Sequence, residues 1–198
     1  SVARPFVYKP NPPAGGGPKV PVGIAVLPFD DGTENFTERG TIMGRDTYTN
    51  VAKAAEGEIL QPLLPEFWGM SFADELAASG SFRSVRFVYA PSDFKVEEFF
   101  VGGILKKANL ATRFNASNEI LIVFRATRIS DKKVVWEKEL GSKAWKTSPT
   151  IRDGCSPWGN ECVISVFRDE WNRGMAAVFA EARVDLLKTL ASLEGGTG

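Results

Sequence analysis

Histidine is absent from all 198 residues, which removes every mechanism that needs an imidazole base or an imidazole metal ligand. Cysteine is scarce: only Cys155 and Cys162 occur, so nothing in the chain completes a zinc site. No metal, no cofactor and no enzymatic activity is therefore expected. A charge surplus of either sign is also missing, because 24 Lys+Arg balance 24 Asp+Glu. Without a basic stripe to neutralise phosphates, nucleic acid is not an expected partner. No apolar run reaches the roughly 18 residues of a membrane span, and no signal h-region opens the sequence at Ser1. The expectation is either a cytosolic protein or one whose targeting segment has been removed. Neither G-x-S-x-G, a P-loop nor G-x-G-x-x-G stands at a strand-to-helix junction.

What is present is enough for one core. With 43% hydrophobic residues, the length suits a single domain over residues 22–194 rather than two. Residues 1–21 hold six prolines and the run Gly15-Gly16-Gly17, and read as a Pro/Gly-rich tether, half extended spacer and half hinge. A disordered terminus is the plainer reading, and one P-x-x-P match, Pro10 to Pro13, is a third.

The run Val22 to Phe29 is a central apolar strand that ends in Pro-Phe and breaks off at Asp30-Asp31-Gly32. An insertion, residues 33–66, follows with little periodicity; a short helix over Asp46 to Glu58 is its one regular element. An insertion of that length is either an interaction surface or a loop covering the sheet edge. Pro65 then starts a helix with Trp68, Phe72 and Leu76 as one stripe and Gly80 as its stop. Ser84 to Tyr89 reads as a strand that completes a βαβ crossover. Phe99 to Lys106, Glu119 to Ile129 and Val134 to Leu140 form an antiparallel meander. A final amphipathic helix places Phe167, Trp171, Met175, Val178, Ala182, Leu186 and Leu190 on one face. The expected fold class is α/β: a single domain whose mixed sheet, a βαβ unit followed by a meander, is covered by two main helices.

Cys155 and Cys162 flank a turn-rich Ser-Pro-Trp-Gly-Asn-Glu segment. They are read as a disulfide or as two unrelated thiols; a bridge over so short a loop contributes on the order of 2.5 kcal/mol. Asp30 and Asp31, with Glu34 and Glu38, stand beyond the first strand, where open α/β sheets place ligand sites. They are a candidate acid/base or cation site, or a solvated acidic turn. Phe36, Tyr48, Val51, Leu60 and Trp158 are candidate interface residues, and Phe67 and Trp145 share the ambiguity between interface and core.

Four segments in order carry a resemblance: Val22 to Asp31, a helix ending Phe72-Ala-Asp-Glu-Leu-Ala-Ala-Ser-Gly-Ser-Phe82, Phe100-Val-Gly-Gly-Ile104, and Leu121 to Trp136 with its Lys-Val-Val-Trp ending. The pattern resembles periplasmic lipoproteins related to CsgG, the TolB N-terminal domain, LpoB and PelC. That resemblance implies an α/β sandwich on the periplasmic side of a bacterial outer membrane, often tethered through a lipidated cysteine. The insertion and the cysteine loop depart from those families, and the hairpins of a CsgG-type pore are not evident.

Two functions follow. The first is a non-enzymatic, outer-membrane-tethered assembly or accessory module of a secretion, export or cell-envelope complex, with a protein partner or a second copy bound and the membrane met only through an N-terminal lipid anchor. The second is a carboxylate-based hydrolase or carbohydrate-binding domain using Asp30 and Asp31.

Overall fold

A computed structural model describes residues 6–13, 15–32, 41–42, 45–46, 63, 65–111, 114–115, 117–148 and 160–195. Strand β1 (Val20–Val26) is apolar on both faces and buried at six of seven positions, as befits a strand covered on both sides. After the crossover helix α1 (Pro65–Ala78), β5 (Phe82–Phe87) returns parallel to β1. On the other flank of β1 lies β6 (Phe99–Asn109), also parallel. From there β7 (Ser117–Arg128) and β8 (Val134–Gly141) continue antiparallel, giving the order β5-β1-β6-β7-β8. Two short strands attach to this sheet: β2 (Asp30–Asp31) beside β6 and β9 (Trp145–Lys146) beside β7. The mixed sheet and the two main helices, α1 and α2 (Asn160–Gly195), agree with the expected fold class.

Local chemistry accounts for the turns. Pro65 needs no amide partner at the first turn of α1, and Gly80, at φ 65°, takes the left-handed conformation that ends it. At the β7–β8 turn, Asp131 Oδ1 accepts from the Lys133 amide at 3.1 Å and Arg128 Nη1 donates to Asp131 Oδ2 at 3.0 Å.

The core lies between one sheet face and both helices. Val101 and Leu105 of β6 and Ile120, Ile122, Phe124 and Ala126 of β7 point to it, against the Trp68-Phe72-Leu76 stripe of α1. The expected stripe of α2 is buried along its whole length, from Phe167 to Leu190. Gly69 lets α1 lie directly on the chain leaving β1, since a Cβ there would collide with the Leu27 carbonyl.

Several boundaries and one assignment differ from expectation. The first strand begins at Val20, the crossover strand ends at Phe87, and the last helix starts at Asn160. Cys162 therefore stands in the first turn of a helix. Within the insertion, β3 (Thr41–Ile42) and β4 (Arg45–Asp46) pair antiparallel, so Asp46 ends a strand instead of beginning a helix. The rest of 46–58 lies outside the described residues.

The larger correction concerns the tether. Phe6 and Tyr8 are buried in the main core, at 7% and 4% exposure, while Val7 between them is 68% exposed. Residues 6–11 are thus an extended strip of the folded domain, because alternation of aromatic and exposed side chains outweighs a composition that reads as loose. Prolines at 10, 12 and 13 restrict the unfolded chain, which lowers the entropic cost of docking.

Candidate functional site

On the sheet face away from the helices, β6 and β7 present Phe100, Ile104, Leu121 and Val123, each only partly buried. The geometry of this face starts at the Pro-Phe end of β1. The Leu27 amide still donates to Val101 O at 2.9 Å; Pro28 has no amide to give, and the chain turns so that the Phe29 amide donates to Pro65 O at 3.1 Å. Phe29 then drops into the core over Gly103, whose missing Cβ would meet the ring at 2.8 Å. Beyond that step, β2 rejoins β6, with Asp30 opposite Ile104 and Asp31 opposite Leu105.

The interruption leaves a groove on the outer face. Its floor includes Gly102, which has no neighbour within 4 Å of a Cβ position, and its walls include Phe100, Ile104 and Val123, with Leu27 and Tyr89 at the side. The groove holds about 340 Å³ and is open to solvent. Phe94 stacks on Phe100 at 5.2 Å, and Tyr89, 65% exposed, stands edge-on to Phe87 at 5.0 Å. Arg125 also lines the groove, with Nε and Nη2 donating to Glu137 Oε1 at 2.8 and 2.6 Å.

Beside the groove, ion pairs tie β1 and β5 to the loop before β6. Arg86 Nε donates to Glu97 Oε1 at 2.6 Å and the Lys95 amide to Glu97 Oε2 at 2.7 Å. The Arg86 guanidinium, helped by that amide and opposed by burial, holds the Glu97 carboxyl down at about 2. Burial pushes Glu98 up, but the Gly23 amide and Arg83 outweigh it and leave its pKa below the ordinary carboxylate value.

Of the residues singled out from sequence, only some meet here. Asp30 lines the groove, and among the described residues no other carboxylate does. Asp31 is half-buried, and adjacent strand residues face opposite sides, so the pair is not gathered into one acid/base site. Glu34, Phe36, Glu38, Tyr48, Val51, Leu60, Cys155 and Trp158 lie outside the described residues. Among the described residues no cysteine is free, and Cys162 is in the bonded state; with Cys155 not described, the pairing of the two is carried forward as a proposal. Phe67 and Trp145 both pack inward, Phe67 against Phe6 and Trp145 against Gly174 of α2, with Arg173 over the indole at 5.9 Å.

Tyr89, Phe94, Phe100 and Arg125 were missed from sequence. A signal for the face existed: Phe100, Ile104, Leu121 and Val123 occupy the second register of β6 and β7, where a meander facing water carries polar residues.

Compared with known proteins, the chain matches no family model and no curated protein. Solved structures share its fold. A protein of family DUF330 from Xanthomonas campestris is 14% identical, with 96% of this chain and 98% of that one covered and a TM-score of 0.59. CT253 from Chlamydia trachomatis is 10% identical over 87% of this chain and 99% of its own, with a TM-score of 0.53. The PelC dodecamer from Paraburkholderia phytofirmans is 15% identical over 82% and 90%, but its TM-score of 0.45 is too low to carry an argument.

Proposed function

We propose that this chain is a non-enzymatic accessory module of a bacterial cell envelope, tethered at the periplasmic side of the outer membrane, that assembles with a protein through the helix-free face of its sheet. The observation that carries the reading is the apolar, open character of that face at Phe100, Ile104, Val123 and Tyr89, where solvent alone selects polar side chains. The compartment rests on the resemblance of the motif order to CsgG, TolB, LpoB and PelC-like lipoproteins and on the cysteine pair, which suits an oxidising space. Among the described residues, no helix is long and apolar enough to cross a membrane. The insertion follows Gly32, two residues after the groove-lining Asp30, and that proximity in sequence supports extending the proposed contact to residues 33–66.

A carbohydrate-binding reading has one observation in its favour, the grouping of Asp30, Arg125 and Tyr89 around the groove. A photo-crosslinking amino acid at Ile104 or Val123 separates the two. Trapping a protein chain in envelope preparations, above the level obtained from the exposed Val184 on α2, is the expected result. Adducts to glycan alone, or none above that control, overturn the protein-assembly reading.

A further inference from the structure

The cleft between α1 and α2 on the other side of the sheet holds the chain's own residues 6–11, and it reads them as a peptide. Phe6 lies between Phe67 of α1 and Trp171 of α2, with ring centroids 5.4 and 5.6 Å away. Tyr8 meets Phe179 edge-on at 5.4 Å. The backbone is recognised directly: the Lys9 amide donates to Asn172 Oδ1 at 2.7 Å, and Asn172 Nδ2 donates back to the Lys9 carbonyl at 3.1 Å. At the far end stands Glu75, 1% exposed. Its Oε1 accepts from the Tyr8 hydroxyl at 2.7 Å and from the Asn11 amide and Nδ2, both at 3.0 Å, while Oε2 takes Arg183 Nε at 3.1 Å. Asn11 Nδ2 also donates to Ala176 O at 2.9 Å. Aromatic pockets for alternate side chains, a clamp on the main chain and a buried polar stop are the features by which grooves bind extended peptides.

The described residues of the connection from this segment back to β1, 12–13 and 15–19, are exposed. Gly15, Gly16 and Gly17 are exposed, with nothing within 4 Å of a Cβ position on any of them, and Gly16 sits at φ 85°. A hinge of that kind opens without loss of packing.

We propose that the α1–α2 cleft is a peptide-binding site for the pattern Phe-x-Tyr-x-x-Asn, filled within one chain by residues 6–11 and exchangeable with the same residues of a second copy through the Gly15–Gly17 hinge. A second copy is the occupant in trans because it presents the identical groups, so the two arrangements differ only in hinge conformation and concentration. A short flexible linker gives a local concentration in the mM range, so exchange belongs to crowded copies rather than dilute ones. The cleft uses none of the residues that line the groove on the opposite sheet face.

The test mixes two pools of full-length protein at high concentration, one with a donor fluorophore at Val7 and one with an acceptor at Val184, both exposed positions. Energy transfer between chains is expected at high concentration, falling as the mixture is diluted and the tethered segment returns to its own cleft, and competed away by a synthetic peptide of residues 1–14. A peptide carrying Tyr8→Phe and Asn11→Ala is expected to compete at least tenfold less well. Absence of transfer at every concentration overturns exchange. Transfer that excess peptide leaves unchanged also overturns it, since the chains then associate elsewhere.

Discussion

Gly69 shows how one residue sets the spacing of two layers. As a mid-helix glycine it costs about 1 kcal/mol relative to alanine, yet a methyl group there has no room against the Leu27 carbonyl. Backbone cannot step aside as a side chain tip can, so Gly69→Ala is expected to lower stability by about 1–3 kcal/mol in chemical denaturation despite the better helix propensity. At Glu97 the effect is electrostatic. Its folded pKa, held at about 2 chiefly by Arg86, lies below the ordinary 4.5, so the folded state binds its proton later than the unfolded state. The stabilisation is therefore complete above about pH 4.5 and lost as pH falls towards 2. Thermal melts of the wild type and Glu97→Gln should differ at neutral pH and converge across that window; a difference unchanged by acid would show that the ion pair is not its source. At Tyr8, burial first and the Glu75 carboxylate second push the phenol well above its usual 10.0, which keeps it a donor to Glu75 at all ordinary pH.

Among the elements, α2 does the most varied work. Its apolar stripe covers β7, β8 and β1, Trp171 Nε1 donates to Ala111 O at 2.9 Å, and Asp185 accepts from Trp136 Nε1 at 2.7 Å. Its first turn carries Cys162, so a bridge to Cys155 would pin the segment arriving from β9 to the start of this helix. Non-reducing mass measurement of protein from an oxidising compartment is expected to find no free thiol, and two free thiols would refute the pairing. The helical stripes were legible in sequence because the periods of Trp68-Phe72-Leu76 and Phe167-Trp171-Met175 depend only on neighbours along the chain. Element ends were less legible: Val20 takes its strand structure from a distant partner, the Ser81 carbonyl, which accepts from its amide at 2.7 Å.

At the scale of the whole molecule, a zero net charge leaves little repulsion between copies, and the sheet face that the described helices leave open offers apolar surface to cover. Light scattering is expected to show concentration-dependent association, and Asp30→Asn with Asp31→Asn is expected to leave it intact. A monomer at high concentration, together with apolar side chains of residues 33–66 buried on their own sheet, would make the insertion a cover rather than an interface. A hydrolytic turnover lost selectively in the double variant at unchanged stability would move the reading to an enzyme.

The sequence by itself determined the mixed sheet, the crossover, the meander and the two covering helices, because each is written in a repeat of 2 or 3.6 residues or in a Pro or Gly at a forced conformation. Only the tertiary structure decided that Asp30 and Asp31 part company, since a face is assigned by register against β6. It alone placed the leader as well. Phe6, Tyr8 and Asn11 find their partners on α1 and α2, with Lys9 and Asn172 separated by 163 residues, and the cleft they enter does not exist until those helices have packed.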